Sequence, residues 1–427
     1  MGYRLALAGE GPFMRIVILS INYWPEETGI GPYTTHRAEY LAGAGHEVTV
    51  CTTFPYYPEW KVNAQFRGKF ASTEVRNGVK ILRSRAYVPN PVTSVRRIAH
   101  EATFVFGSLV RAAMCRRPDL LFVISPPLGL GLSAFLLSRM WRRPYVFDVM
   151  DLQPDAAAEL GMLPPRFLRM LYGVERFAYR HAALVSTLTR GMRSKIVSKG
   201  LSEDKVALFE PRADDALFDI QPSEGLAFRQ RYGLGEKFLV THSGNMGVKQ
   251  GVEVIVEAAS LTRNDVSLVY VMVGDGVARA TIESHAQRLG LDNIQFMPVL
   301  NAAEFRGLLA ASNVCLVTQR RTVSDVVFPS KVVTYMAAGC PVIASVKESS
   351  EVARAVCESH AGLVVEPESP EALAGAIAQL RKQSLEEIRR NASQFARRHW
   401  SAMRVLPYLE RSLVAASTTI ASSFAAQ

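Results

Sequence analysis

The sequence predicts an α/β protein of two domains, each a parallel sheet covered on both faces by helices. Three observations carry this. Short apolar runs such as Ile16-Val17-Ile18-Leu19 and Leu120-Leu121-Phe122-Val123-Ile124 alternate with longer helix-forming stretches, the pattern of strands buried on both faces. The alternation runs twice, broken at 206–225 by a stretch rich in proline and acids, VALFEPRADDALFDIQPSEG. The chain has 427 residues and is 48% apolar, enough for about two to three domains.

The elements follow in order. Strand 15–22 leads into a loop with Thr28-Gly29-Ile30-Gly31-Pro32, and a helix over 33–43 follows. Strand 47–53 precedes an aromatic loop holding Phe54, Tyr56, Tyr57 and Trp60. GVKILRSR reads as another strand, and a basic, apolar helix spans 94–117. Strand 119–124 and helix 129–141 come next. Leu120–Ser138 is nineteen residues without a charge, but Pro126-Pro127 and two glycines break it, so it reads as strand, loop and buried helix rather than a membrane span. Strand 144–150, helix 164–181 and strand 183–188 complete a first domain over 14–205. After the 206–225 linker a second domain covers 226–398. Its strands are expected at 238–243, 267–273, 294–297, 313–318, 341–345 and 362–366. Its helices are expected at 251–261, 277–290, 302–311, 330–338, 369–383 and 386–398. A last helix covers about 399–418, and residues 1–13 and 419–427 are expected to be flexible, the former a start-site extension before Met14.

Charge is unevenly spread. Residues 1–200 hold 26 Lys+Arg against 14 Asp+Glu, net +12; the remainder holds 23 against 25, net −2. The first half is therefore expected to meet an anionic partner, a phosphate, a diphosphate or a membrane surface. No nucleic-acid motif accompanies the charge, which argues against nucleic acid. The five cysteines show neither Cys-x-x-Cys nor zinc spacing and read as buried thiols of a reducing compartment.

Three glycine loops follow strands: Gly29-Ile30-Gly31, Ser243 to Gly251 (SGNMGVKQG), and Gly274-Asp275-Gly276. Glycine there lets backbone approach a ligand and aim N–H groups at an anion. The first loop lacks the third glycine of a dinucleotide fingerprint, and Val50-Cys51-Thr52-Thr53 brings no acid for a ribose, which argues against NAD. In FPSKVVTYMAAGCPVIAS, Ser330 and Lys331 open a helix whose free N–H groups and added charge suit an anion, with the Ser330 hydroxyl either capping the helix or donating to phosphate. Asp148, Asp151 and Asp155 straddle a strand end and a loop, and read as a polar cluster rather than a metal site.

From Met14 to about residue 415 the chain resembles a retaining glycosyltransferase of family four, on the residues NYWPEETGIGPYTTHRAEYLAGAGHEVTV, TTFPYYPEW, SPPLGLGLSAFLL, FDVMDLQPDAAAELGML, SGNMGVKQGVEVIVEAA, VGDG and FPSKVVTYMAAGCPVIAS. It is most similar to the branch that builds colanic acid, O-antigen and related exopolysaccharides. The resemblance implies the GT-B fold: an acceptor-binding and a nucleotide-sugar-binding Rossmann-like domain facing across a cleft, with a C-terminal helix crossing back. It implies a UDP- or GDP-linked sugar donor and a lipid-linked saccharide acceptor.

By resemblance, Gly29 and Gly31 border the donor diphosphate. Asn245 and Gln250 stand where many relatives carry Arg and Lys, leaving Lys249 as the charge, and Gly274 lies in the donor loop. Thr334 replaces the second glutamate of a ribose-holding Glu-x7-Glu pair, whose first would fall at Val326, beside Asp325. Met150 replaces a histidine beside the sugar. Asp151 is expected to position the acceptor hydroxyl or the donor sugar, and Lys331, Lys249 and the Ser330 helix start to stabilise the leaving diphosphate. The departing phosphate can itself take the acceptor proton, so no side-chain nucleophile, cofactor or metal is expected. The alternatives are a non-catalytic binding subunit of a polysaccharide complex, supported by the missing glutamates, and a nucleotide-sugar epimerase of the same fold. The mixed apolar and cationic stretch 94–117, with Arg96, Arg97, Arg116 and Arg117, is expected to place a cytoplasmic protein peripherally at the inner face of the cytoplasmic membrane.

Overall fold

The computed structural model describes residues 12–159, 163–323 and 328–419. By internal contacts the chain forms two units. Unit 1 runs to Glu210 and resumes at Leu406; unit 2 is Pro211–Val405.

Unit 1 is built on eight strands: β1 (Arg15–Leu19), β2 (Glu47–Thr53), β3 (Ala71–Arg76), β4 (Val79–Ser84), β5 (Leu120–Ser125), β6 (Tyr145–Val149), β7 (Leu184–Thr187) and β8 (Val206–Leu208). Their order is β3-β4-β2-β1-β5-β6-β7-β8. Every pairing is parallel except β3 with β4. β5 and β6 are buried along their whole length, as apolar runs covered on both faces must be. The order reverses at β1, which places the loops after β1 and β5 where open parallel sheets take ligands.

Unit 2 carries β9 (Phe238–Ser243), β10 (Leu268–Val273), β11 (Ile294–Met297), β12 (Val314–Thr318), β13 (Val342–Ser345) and β14 (Gly362–Val365), in the order β11-β10-β9-β12-β13-β14, all parallel. Here the reversal falls at β9, so the Ser243–Gly251 loop leaves the sheet at its switch point.

Several elements depart from the sequence expectation. β3 was not foreseen, because ASTEVR has no buried face: its residues alternate between exposed and half-buried. Asn77-Gly78, both at positive φ (46° and 79°), close its hairpin with β4. The stretch 206–225, expected as a linker, contains β8, a 3-10 turn at Asp215–Asp219 and the start of the helix Pro222–Arg231. The basic helix ends at Ala113 rather than at 117. Leu120–Ser138 forms β5, a turn and the start of the helix Leu130–Trp141, and no helix among the described residues is long and apolar enough to cross a membrane.

The final helix, Ala402–Thr419, starts in unit 2 and continues into unit 1. There Leu409 and Leu413 are fully buried. Glu410 accepts from Tyr40 Oη at 2.9 Å and lies 3.2 Å from His46 Nε2. Because Met14 N–H donates to His46 Nδ1, the ring proton sits on Nε2 and points at that carboxylate.

Candidate functional site

In unit 2, β9 and β10 run side by side with Ser243 opposite Val273, and both end in glycine. Gly244, Gly274 and Gly276 have φ of 119°, 126° and 148°. A Cβ on Gly274 would fall 2.2 Å from the Gly244 carbonyl oxygen, and one on Gly276 2.6 Å from that of Met246. The two loops therefore stack backbone on backbone, which only glycine permits. Met246 N–H donates to Asp275 O at 2.8 Å and Ala278 N–H to Met246 O at 2.9 Å, locking the pair. The turn Val248–Gln250 is strapped by Arg320, whose Nε donates to Val248 O at 2.7 Å and whose backbone N–H donates to Lys249 O at 2.9 Å. Lys249 and Gln250 are half-buried on this turn, and Asn245 is exposed.

The helix Ser330–Ala337 starts beside this loop. Its cap is Pro329, not Ser330, and Pro329 offers no side-chain cap to its first N–H groups. Ser330 is the exposed first helical residue, so its hydroxyl does not serve as the cap. Lys331 reaches back, with Nζ 3.0 Å from His242 Nε2 and 3.3 Å from Asn245 O. A Cβ on Gly244 would lie 2.7 Å from Lys331 Cε, so glycine at 244 makes room for the lysine stem. His242 is fully buried; burial, then the nearby Lys331, holds its pKa well below the ordinary value, so the neutral ring accepts from the lysine. Burial also draws Lys331 down to about 7. Tyr335, one turn further along, is buried against Ser243: its hydroxyl accepts from Ser243 N–H at 2.8 Å and donates to Ser243 O at 3.0 Å. Thr334 donates to Ser330 O at 3.2 Å, within its own helix. Val326 and Asp325 lie outside the described residues.

The structure thus brings Lys331, Ser330, Thr334, Asn245, Lys249, Gln250 and Gly274 to one end of the unit 2 sheet. Its helix start, its two lysines and its close-approaching glycines are donors and charge suited to a polyanion such as a diphosphate.

Unit 1 holds its own loop constellation. Gly29 sits at φ 66°, and Gly31 opens the helix Gly31–Gly43; a Cβ on Gly31 would be 2.8 Å from Glu26 O. Glu26 is buried and organises the region. One oxygen accepts from the backbone N–H groups of Tyr56 and Tyr57, both at 2.8 Å, and the other from Asn22 Nδ2 at 2.8 Å. Burial raises its carboxyl pKa, and those hydrogen bonds oppose the shift. Glu26 therefore ties the loop after β1 to the aromatic loop after β2.

The three aspartates do not converge. Asp148 is wholly buried, ion-paired with Arg37 and accepting from Ser186 Oγ at 2.7 Å. Asp155 pairs with Lys199, which also meets Glu175 at 2.8 Å. Asp151 is half-buried beyond the end of β6; the Tyr33 phenol is raised by burial first, with the Asp151 charge adding to it. Among the described residues no group of three His, Cys, Asp or Glu is placed to hold a metal. Met150 is buried, its sulfur 3.7 Å from Arg37 Nη1. Arg96 and Arg97 lie in the first turn of the helix Ser94–Ala113, Arg96 donating to Asn90 O at 3.2 Å and Arg97 pairing with Glu101 at 3.5 Å. Arg116 and Arg117 follow the end of that helix and are exposed.

Sequence reasoning missed Glu26, His242, Arg320 and Tyr335. Glu26 stood in a glycine-rich loop and was readable as a carboxylate with loop amides to hold. The other three act through partners distant in the chain, which no local spacing reveals.

The description "Glycosyl transferase 4-like domain" matches residues 28–211, and "Glycosyl transferases group 1" matches residues 227–399. The chain is 33% identical over 376 residues to the putative colanic acid biosynthesis glycosyl transferase WcaI of Escherichia coli K12, covering 86% of this chain and 92% of that protein. It is 26% identical over 293 residues to the probable glycosyltransferase WbjE of Pseudomonas aeruginosa, covering 65% and 69%. The crystal structure of HepE from Anabaena in complex with UDP superposes with a TM-score of 0.70 at 18% identity, covering 94% of this chain and 100% of that one.

Proposed function

The chain belongs to the group 1 glycosyltransferases, and from that premise we propose that it moves a sugar, with retention, from a UDP- or GDP-linked donor to a lipid-diphosphate-linked saccharide in bacterial cell-surface polysaccharide biosynthesis. The observation that carries the donor half is the approach of Lys331 to His242 and the glycine loop at the switch point of unit 2. The likeness to a colanic acid enzyme supports the polysaccharide, and the UDP held by HepE supports a nucleoside diphosphate leaving group.

On this reading the C–O bond between sugar and diphosphate breaks as the acceptor hydroxyl attacks from the same face. The departing phosphate takes the acceptor's proton, so charge and atoms balance without a side-chain nucleophile. What the protein supplies is stabilisation of the growing negative charge. Lys331, Lys249 and the helix start at Ser330 do this, while Gly274 lets the loop backbone close in. Asn245, Gln250 and Thr334 offer neutral hydrogen-bonding groups for the rest of the donor. In unit 1, Gly29 and Gly31 border the diphosphate and Asp151 orients the acceptor hydroxyl or the donor sugar. No divalent metal takes part in the chemical step. The protein works peripherally at the inner face of the cytoplasmic membrane, where its acceptor is anchored.

A thermal-shift panel of UDP, GDP, ADP and dTDP sugars tests the donor, since a ligand of the folded state raises Tm. The donor that shifts Tm is then supplied with membrane-extracted lipid-linked saccharides, and transfer is followed by mass spectrometry. A donor that binds without transfer to any such acceptor would replace the enzyme with a binding subunit; the absence of any shift would remove the donor assignment.

A further inference from the structure

At the amino end of the unit 1 sheet, opposite the end that carries the Gly29-Ile30-Gly31 loop, a cavity of about 270 Å³ opens between the sheet and the last turn of the helix Ser94–Ala113. It is lined by four cations, Arg15, Lys80, Arg111 and Arg116, and one carboxylate, Glu47, with Cys115 in its wall. Arg15 is turned to Glu47 at 3.9 Å and to Arg117 O at 3.0 Å. Arg111 donates to Ser72 O and Thr73 Oγ1, both at 3.1 Å, while its Nε is buried with no hydrogen-bond partner. Among the described residues neither Lys80, Arg111 nor Arg116 has a carboxylate partner. A helix C-terminus attracts about half a positive charge, far short of the net three these side chains bring. A buried guanidinium nitrogen without a partner is costly unless something accepts from it.

Met114, in the cavity wall, is 75% exposed, and Phe106 and Val110 precede it at four-residue spacing on the same helix, 69% and 44% exposed. Val75, on the same face of β3 as the cavity-lining Thr73, is 73% exposed. Cations in the cavity and bare apolar side chains on the elements that wall it match a molecule with an anionic head and a hydrocarbon tail.

We propose that this cavity binds the headgroup phosphate of an anionic phospholipid, with Lys80, Arg111 and Arg116 on the phosphate and Phe106, Val110 and Met114 against the acyl chains. The site rests on the membrane reading above and deepens it by naming the lipid group held.

Cys115 provides a local reporter. It is half-buried in the cavity wall, whereas Cys51, Cys315 and Cys340 are buried and Cys357 is exposed. Its thiol pKa is lowered, first by the hydrogen bond from Cys51, which outweighs burial, and then by Lys80 and Arg111, a shift that favours the reactive thiolate. Full-length Cys357→Ser protein is labelled with a maleimide and Cys115 modification is followed by mass spectrometry. Monomeric dihexanoyl phosphatidylglycerol is expected to slow labelling roughly fivefold by covering the thiol and neutralising the charges that favour the thiolate. Dihexanoyl phosphatidylcholine should not slow it, and Lys80→Gln, at an exposed position, should abolish most of the protection. Equal protection by inorganic phosphate overturns the lipid assignment. Unchanged labelling with every additive overturns the site, and binding to anionic vesicles in that same preparation would show that the membrane reading stands without it.

Discussion

Tyr335 and Ser243 hold each other by two hydrogen bonds, the phenol accepting from the Ser243 N–H at 2.8 Å and donating to its carbonyl at 3.0 Å. The bonds join the helix that carries Lys331 to the strand end that carries the glycine loop. Tyr335→Phe leaves a buried N–H and C=O unsatisfied and should cost about 2 kcal/mol, read as a lower urea midpoint. Donor affinity should fall as well, because Lys331 loses its fixed approach to Gly244. Reduced stability with unchanged donor affinity would show that the tie does not position the lysine.

Lys331→Ala should reduce turnover about a hundredfold, the loss of roughly 3 kcal/mol of charge stabilisation, with a much smaller effect on folding. Steady-state kinetics with the matched donor decide it, and near-normal kcat would remove Lys331 from the site.

The same lysine should make donor binding depend on pH. Burial lowers it from the ordinary 10.5 to about 7. Between those values the unfolded chain holds the proton and the folded, empty site does not, so this group adds stability as pH rises through that window. A bound diphosphate restores the charge and raises the pKa. Binding of UDP should therefore take up a proton above pH 7, and affinity should fall as pH rises. Calorimetry in buffers of different ionisation enthalpy measures the uptake, which should vanish in Lys331→Ala.

Gly274→Ala should abolish donor binding and lower stability by about 3 kcal/mol. The new methyl would meet the Gly244 carbonyl at 2.2 Å, on backbone at φ 126°. A variant with wild-type Tm and normal donor affinity would mean that the two loops separate at little cost.

Activity should survive excess EDTA. Asp148 and Asp155 are already engaged with Arg37 and Lys199, and on the proposed reading Lys331, Lys249 and the helix start balance the charge of the diphosphate. Complete loss in EDTA, restored by magnesium or manganese, would revive a metal at the aspartates.

The protein should pellet with anionic vesicles at low salt and be released by high salt without detergent. Each Lys or Arg near such a surface contributes about 1 kcal/mol. Replacing Arg96, Arg97, Arg116 and Arg117 by Gln should weaken pelleting and leave donor binding intact. Equal pelleting with neutral vesicles would instead assign the attachment to the exposed apolar side chains.

The two sheets were legible because their strands are continuous apolar runs, as in Leu120–Ser125 and Leu268–Val273. β3 was not, since a strand with no buried face shows no apolar period; only Asn77-Gly78 marked its turn. In the site, Gly274 and Lys331 stood out by type and position. Their settings did not: His242 meets Lys331 across 89 residues, and Arg37 meets Asp148 across 111. Such pairings are decided by sheet order, which local sequence does not encode. Of the two roles open to the Ser330 hydroxyl, the cap falls away for a simpler reason, that Pro329 before it already holds the extended backbone a cap requires.

The chain leaves unit 1 at Glu210 and returns to it at Leu406, while unit 2 is one unbroken segment. During synthesis unit 2 therefore has all of its residues before unit 1 does. Nascent unit 1 must wait, with His46 and Tyr40 lacking Glu410 and with the sites of Leu409 and Leu413 unfilled, until the chain has emerged past Leu413. The usual order, in which the first domain finishes first, is reversed. A fragment cut after Glu210 would keep every strand of the eight-stranded sheet and still lack the segment that closes it.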